Sequence, residues 1–208
     1  MKRNFFKMVA MATMMIFSVS ASAQSLNDIL GGVLSNGSTD GLVSNLTSVF
    51  SSDKQATTDN IIGTWSYTEP AIVFKSDNIL AKAASKIASN KVENKIQEQL
   101  SKYGITPGAF SMTFNEDGTF TETLKGKTTK GTWKVENSKL QLSVVGIKAI
   151  SITTQVDGKD LQFVTDATKL LNLFKTLGAN SNNSSLKTIT KLMKSVNGMQ
   201  AGITLRKQ

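Results

Sequence analysis

Two side chains in this sequence stand where charge is expensive. Glu122 falls between Phe120 and Leu124 in an alternating run, and Lys148 precedes Ile150 and Ile152 at the same spacing. If those runs are strands, the carboxylate and the ammonium share the apolar face, where a charge is costly unless it is paired or reaches the rim. Glu122 and Lys148 are therefore candidates for orienting the polar head of a bound molecule. A plainer alternative places both at strand ends in water. Little else in the chain could do chemistry. It has neither histidine nor cysteine, which removes Ser-His-Asp and Cys-His nucleophile systems and the usual zinc ligand sets. No glycine cluster has the form of a phosphate-cradling loop between a strand and a helix. Acid–base work by carboxylates stays formally open, but Glu116, Asp117, Glu136, Asp157 and Asp160 fall in turn-like segments, where acids ordinarily serve solubility. The expectation is a protein that is not an enzyme and has no cofactor and no metal.

The elements that must position these residues read as strands. Ile61, Gly63, Trp65 and Tyr67 share one face of a first strand. Seven more alternating runs follow: Phe110/Met112/Phe114, Phe120/Glu122/Leu124, Gly131/Trp133/Val135, Leu140/Leu142/Val144, Ile150/Ile152/Thr154/Val156, Leu161/Phe163 and Met199/Ala201/Ile203/Leu205. Turn signals such as Glu116-Asp117-Gly118, Lys125-Gly126-Lys127 and Asp157-Gly158-Lys159 separate them, which marks an up-and-down antiparallel sheet. Eight strands are enough to close a barrel and remove its edges. Helical spacing interrupts the strands twice. Leu80, Ala83, Ala84, Ile87, Ala88, Val92, Ile96 and Leu100 form one stripe, from about Asp77 to Lys102, with Ser76 or Asp77 as cap and Gly104 beyond the end. Two shorter stripes precede the last strand: Leu170, Leu171, Phe174, Leu177, and then Leu186, Ile189, Leu192, Met193, Val196. The expected fold is mainly β (α+β): an eight-stranded antiparallel barrel with a long helix inserted between strands one and two and two helices before the last strand.

The N-terminal region reads as an address. Lys2, Arg3 and Lys7, the apolar run Met8 to Val19 and Ala21-Ser22-Ala23 compose a secretory signal peptide over 1–23. The run is shorter than the ~20 residues that span a bilayer. No cysteine follows the site, so a lipoprotein is not expected, and Gln24 would be the mature N-terminus. Export to the periplasm or cell envelope, with no cysteine for disulfides, leaves the core to hold the fold together. Residues 24–58 form a polar leader. Within it, Leu26, Ile29, Leu30, Val33, Leu34 and Leu42, Val43, Leu46, Val49, Phe50 predict two short amphipathic helices, or else a loosely packed tether. The barrel domain covers 59–208.

Both tryptophans lie in the same tripeptide, Gly63-Thr64-Trp65 and Gly131-Thr132-Trp133. A glycine two before a tryptophan on one strand face leaves room for a neighbour to close over the indole at a crowded barrel end. Gly63-x-Trp65 opening a meander resembles the first-strand motif of lipocalins and their calycin relatives. From about 61 to 206, including Ile61-Ile62-Gly63-Thr64-Trp65 and Phe114-Asn115-Glu116-Asp117-Gly118-Thr119-Phe120, the chain is similar to secreted lipocalin-like proteins of Gram-negative gut bacteria that form a domain family of unknown function. The resemblance implies a calycin-like barrel and a ligand, but no activity. The chain departs from lipocalins in the helix after its first strand and in lacking their disulfide. The resemblance also implies that Arg206, the one arginine after the signal, lies over Trp65 as a cation–π cap, although Arg206 alternates with the inward Leu205, so a bend is needed.

The preferred function is a binding module that holds a small apolar ligand, such as a lipid, in the barrel. Such a ligand would touch Leu80, Ala84 or Ile87 of the long helix together with Phe110, Phe120 and Ile150, with Glu122 and Lys148 at its head. Gly63, Trp65, Trp133 and Arg206 would build the barrel end. The alternative is an envelope interaction or structural protein whose barrel is filled by its own side chains and helix, with lysines meeting a protein partner or a membrane surface. Nucleic acid is not expected as a partner, because the basic residues form no stripe.

Overall fold

The computed structural model describes residues 47–75, 83–145, 147–176 and 183–208. The expectations for the signal peptide, most of the leader, Leu80, the helix cap at Ser76 or Asp77 and Leu177 lie outside them, as do the side chains of Ala84, Ile87 and Lys148.

Eight antiparallel strands form the barrel, each paired with the next in sequence: β2 (Gly63–Phe74), β3 (Phe110–Phe114), β4 (Thr119–Leu124), β5 (Lys127–Glu136), β6 (Lys139–Val144), β7 (Ile147–Asp157), β8 (Asp160–Thr165) and β9 (Met199–Lys207). Pairing of β2 with β9, from Trp65↔Lys207 to Phe74↔Met199, closes it. The expected eight-stranded meander is the fold. Period-two hydrophobicity sets it, since β3, β4 and β6 bury every second residue and pair in a register that keeps the buried residues on one face. The turns fit the strand twist. Asn137 and Ser138 both take positive φ between Glu136 and Lys139, as do Lys125 and Gly126 between Leu124 and Lys127, the type I′ pattern of two-residue hairpins.

A short strand β1 (Thr47–Val49) adds to this sheet, parallel to β2 at Ile72–Phe74. This corrects the helical expectation at Val49 and Phe50. Phe50 packs on Ala71, Val73 and Val164, the outward side chains of the wall, and tertiary burial there overrides helical spacing. A 3-10 turn (Ser52–Lys54) and helix α1 (Thr58–Ile61) follow, with Thr57 and Asn60 forming a capping box. Ile61 thus ends a helix and does not open the first strand. The strand instead runs on past Tyr67 to Phe74, through a bulge between Tyr67 and Glu69.

Helix α2 (Ala83–Tyr103) links β2 to β3, and α3 (Ala167–Thr176) and α4 (Ser184–Ser195) precede β9. Helix α2 ends in a Schellman turn: Gly104, at φ +82, donates to Ser101 O, and Ile105 donates to Leu100 O. Asp166 caps α3, and the Asn183 side-chain Oδ1 accepts from the Ser185 and Leu186 backbone N–H groups at the start of α4. Both connections that carry helices leave the barrel at one end, so α2, α3 and α4 gather there. Helix α2 packs on β2 and α4, and α3 packs on α4 and β9. Ala88, Val92, Ile96 and Leu100 of α2 belong to the same apolar core as the barrel's Phe110, Phe120 and Ile150.

Candidate ligand site in the barrel

The end of the barrel away from the helices is built from the two Gly-Thr-Trp tripeptides. Trp65 is wholly buried and donates its indole N–H to the Ile61 carbonyl at 2.7 Å, so α1 and the first strand lock together. Trp133 donates to Asn115 O at 3.0 Å and meets the Phe114 ring edge-on at 5.6 Å. Each glycine leaves space for a specific neighbour. A Cβ on Gly131 would lie 2.5 Å from the Phe120 ring and 2.3 Å from Ser143 O. Gly63, at φ +126, gives way to Lys207, whose Cε would be 2.9 Å from such a Cβ. Ala56 closes the floor, its N–H donating to the inward Thr154 hydroxyl at 3.3 Å.

Lys207, not Arg206, lies over Trp65, with its ammonium 5.2 Å from the ring centroid. The reason is strand parity. Lys207 is the direct cross-strand partner of Trp65 and shares the inward face with Leu205, whereas Arg206 faces out. There Arg206 makes a two-pronged pair with Asp160, Nε to Oδ1 at 2.9 Å and NH2 to Oδ2 at 3.2 Å, which raises the arginine's proton affinity. The signal for Lys207 was present, since it continues the series Met199/Ala201/Ile203/Leu205.

Above this floor the described interior side chains are mainly apolar. Glu122 is 0 % exposed, so it does not stand at a strand end in water. It faces Met112 on β3 and the buried Thr129 on β5 across the ladder. Phe110 pairs with Leu124 nearer the helices, and Ile150 sits across from Leu142. Phe110, Phe120, Glu122 and Ile150 therefore all enter one interior. Phe120 belongs to the aromatic group at the floor, 6.3 Å from Phe114, and Phe110 to the helix-covered part. Thr129 went unnoticed in the sequence, although it continues the face of Gly131 and Trp133 by two residues.

Tyr67 is the second polar group missed. It shares the inward face with Trp65, and its hydroxyl donates to Gln97 Oε1 of α2 at 2.7 Å. Burial raises its proton affinity, with Glu69 adding to the effect. Glu69 itself is raised, first by burial and then by Glu93. Among the described residues no group of three or more acidic side chains could hold a metal ion, and no helix is long and apolar enough to cross a membrane.

A family model described as a lipocalin-like domain, a domain of unknown function, matches residues 35–207. The chain belongs to this lipocalin-like family. The match begins before the barrel and takes in β1 and the segment that closes the floor. No curated protein matches the chain. Among solved structures, a DUF4847 family protein from Bacteroides vulgatus is similar at 16 % identity, covering 71 % of this chain and 95 % of its own, with a TM-score of 0.33.

Proposed function

We propose that this lipocalin-like protein is a non-enzymatic carrier that holds a small, mainly apolar molecule in the helix-covered half of the barrel. Glu122 and Thr129 would receive a hydrogen-bond-donating head such as an amine or hydroxyl. The observation that carries this reading is the Glu122 carboxyl, fully buried in the barrel interior beside Met112 and Thr129. Taking a carboxylate out of water is costly, and a barrel that needed only filling would be better served by leucine. An apolar pocket with a few polar groups is the usual form of a site for such ligands. Lys148, two residues before Ile150, is a second candidate for the head. In this reading the chain is exported, with mature protein beginning at Gln24, and works in the periplasm or envelope.

A second reading, an envelope protein whose barrel is filled by its own side chains, draws on the size of the buried groups: Trp65, Tyr67, Phe74, Phe110, Phe114 and Phe120 are each under 2 % exposed. Titration with dodecylamine and dodecanol, each displacing a fluorescent naphthalene dye, separates the two. The carrier reading expects saturable displacement by both, and a loss of ~10-fold or more in amine affinity for Glu122→Gln, the scale of a hydrogen bond to a charged group. Failure of the parent protein to take up dye, amine or alcohol would support the filled barrel.

A further inference from the structure

The barrel wall is not laced all the way round. β2 pairs with β3 only from Gly63 to Ser66, and on that side it next meets a strand at Ile72, where β1 begins. Between them, residues 67–71 have no strand partner on the β3 side among the described residues. Helix α2 packs against β2. The apolar side chains of α2 and those of the barrel interior form one continuous core.

We infer that this notch is the entrance to the interior and that the later half of α2, from about Ala88 to Tyr103, is its movable cover. The inference rests on the carrier reading above. Tyr67 stands at the edge of the notch and latches the cover through its hydroxyl to Gln97, whose Nε2 donates to Ser101 at 3.1 Å. A second set of ties joins α2 to α4. Ser185 donates to the Glu98 carboxylate at 3.3 Å, and Asn183 Nδ2 donates to Gln99 Oε1 at 3.0 Å. Helix α4 leads directly into β9, so it anchors these ties to the barrel. Besides its apolar contact with the core, α2 is held by these few side-chain hydrogen bonds and not by a backbone ladder like that of the wall, and elements that open locally are drawn from regions without such ladders. Gln99 adds a reason to open. Its Nε2 is buried without a hydrogen-bond partner among the described residues, and an unmet buried donor costs free energy that exposure recovers.

The absence of cysteine makes the test clean. Glu98→Cys with Ser185→Cys, bridged by a short bis-methanethiosulfonate reagent that forms a disulfide with each cysteine and releases sulfinate, fixes α2 to α4. Uptake and release of the naphthalene dye are then followed by stopped-flow fluorescence. The cover predicts that bridging slows both rates at least about tenfold with little change in affinity, and that reduction restores them. Tyr67→Phe, which removes one hydroxyl from a side chain of nearly the same shape, should speed both rates several-fold. Rates within twofold of the parent in the bridged protein would overturn the cover while leaving the carrier reading intact. A parent that takes up no dye would overturn both.

Discussion

The two ends of the barrel solve the same problem, how to stop a tube of eight strands, in opposite ways. At the floor the closing groups are large, rigid and interlocked: two indoles bonded to backbone carbonyls, a T-shaped ring pair, and two glycines whose missing Cβ atoms are filled by Phe120 and Lys207. At the other end three helices gather over the opening: side-chain hydrogen bonds tie α2 to Tyr67 of the barrel and to α4, and the rest of the contact is apolar. The difference shows where the molecule can afford to move. Close-packed rings against backbone leave little room to rearrange, and local opening starts where elements lack a backbone ladder.

The largest effect should come from filling a space at the floor. Gly131→Ala sets a Cβ against Ser143 O, which is backbone and cannot step aside, and is expected to cost on the order of 1–3 kcal/mol in chemical unfolding. The matching change toward the helix end, Ile150→Trp, should cost less than about 1 kcal/mol and abolish dye uptake, because the added ring would occupy the ligand's space. Equal losses at the two positions would break the comparison and favour an interior packed throughout.

A smaller effect distinguishes the two late basic residues. Lys207→Met keeps the aliphatic stem against Gly63 but removes the ammonium over Trp65, so it should cost about 0.5–1 kcal/mol, the range of an exposed cation–π contact. Arg206→Met breaks only a surface pair with Asp160 and should leave both stability and tryptophan fluorescence nearly unmoved. A shift of the Trp65 emission in Arg206→Met but not in Lys207→Met would reverse this assignment.

The smallest effect tests the helix end through pH. Hydrogen bonds from Lys95 and Lys102 hold the Glu98 carboxyl at about 2, below its ordinary 4.5. Because the folded value is depressed, the contribution is present above pH 4.5 and is lost as pH falls from there toward about 2. Melting curves of parent and Glu98→Gln should differ slightly at neutral pH and converge across that window. The same difference persisting at the acid end would show that the ion pairs of Glu98 with Lys95 and Lys102 are not what the change removes.

Strand existence was legible because one face of each strand is buried and the alternation survives in sequence, as in Phe110/Met112/Phe114. The floor was legible in outline from the two tryptophans. Its details were less so. The sequence series from Met199 to Leu205 pointed at Lys207, but the family resemblance favoured an arginine and drew attention one residue away. The extension of β2 to Phe74 was hidden because both faces are covered there. Ala71 and Val73 face the N-terminal segment while Ile72 and Phe74 face the core, so period two disappears into a continuous apolar run. The same covering made a strand ending at Val49, with Phe50 packed on the wall, out of a stretch with helical spacing. Glu122 was legible because it is a charge among apolar neighbours. Thr129 and Tyr67 were not, because threonine and tyrosine are ordinary strand residues and only their burial sets them apart.

Native mass spectrometry of the protein recovered from its own bacterium tests the central claim most directly. If the helix-covered half of the barrel holds a ligand beside Glu122, part of the population should carry one additional small molecule per chain, released by organic solvent and missing from Glu122→Gln or Ile150→Trp protein prepared in the same way. A single bare-chain mass in the parent, under conditions that preserve known noncovalent complexes, would contradict it.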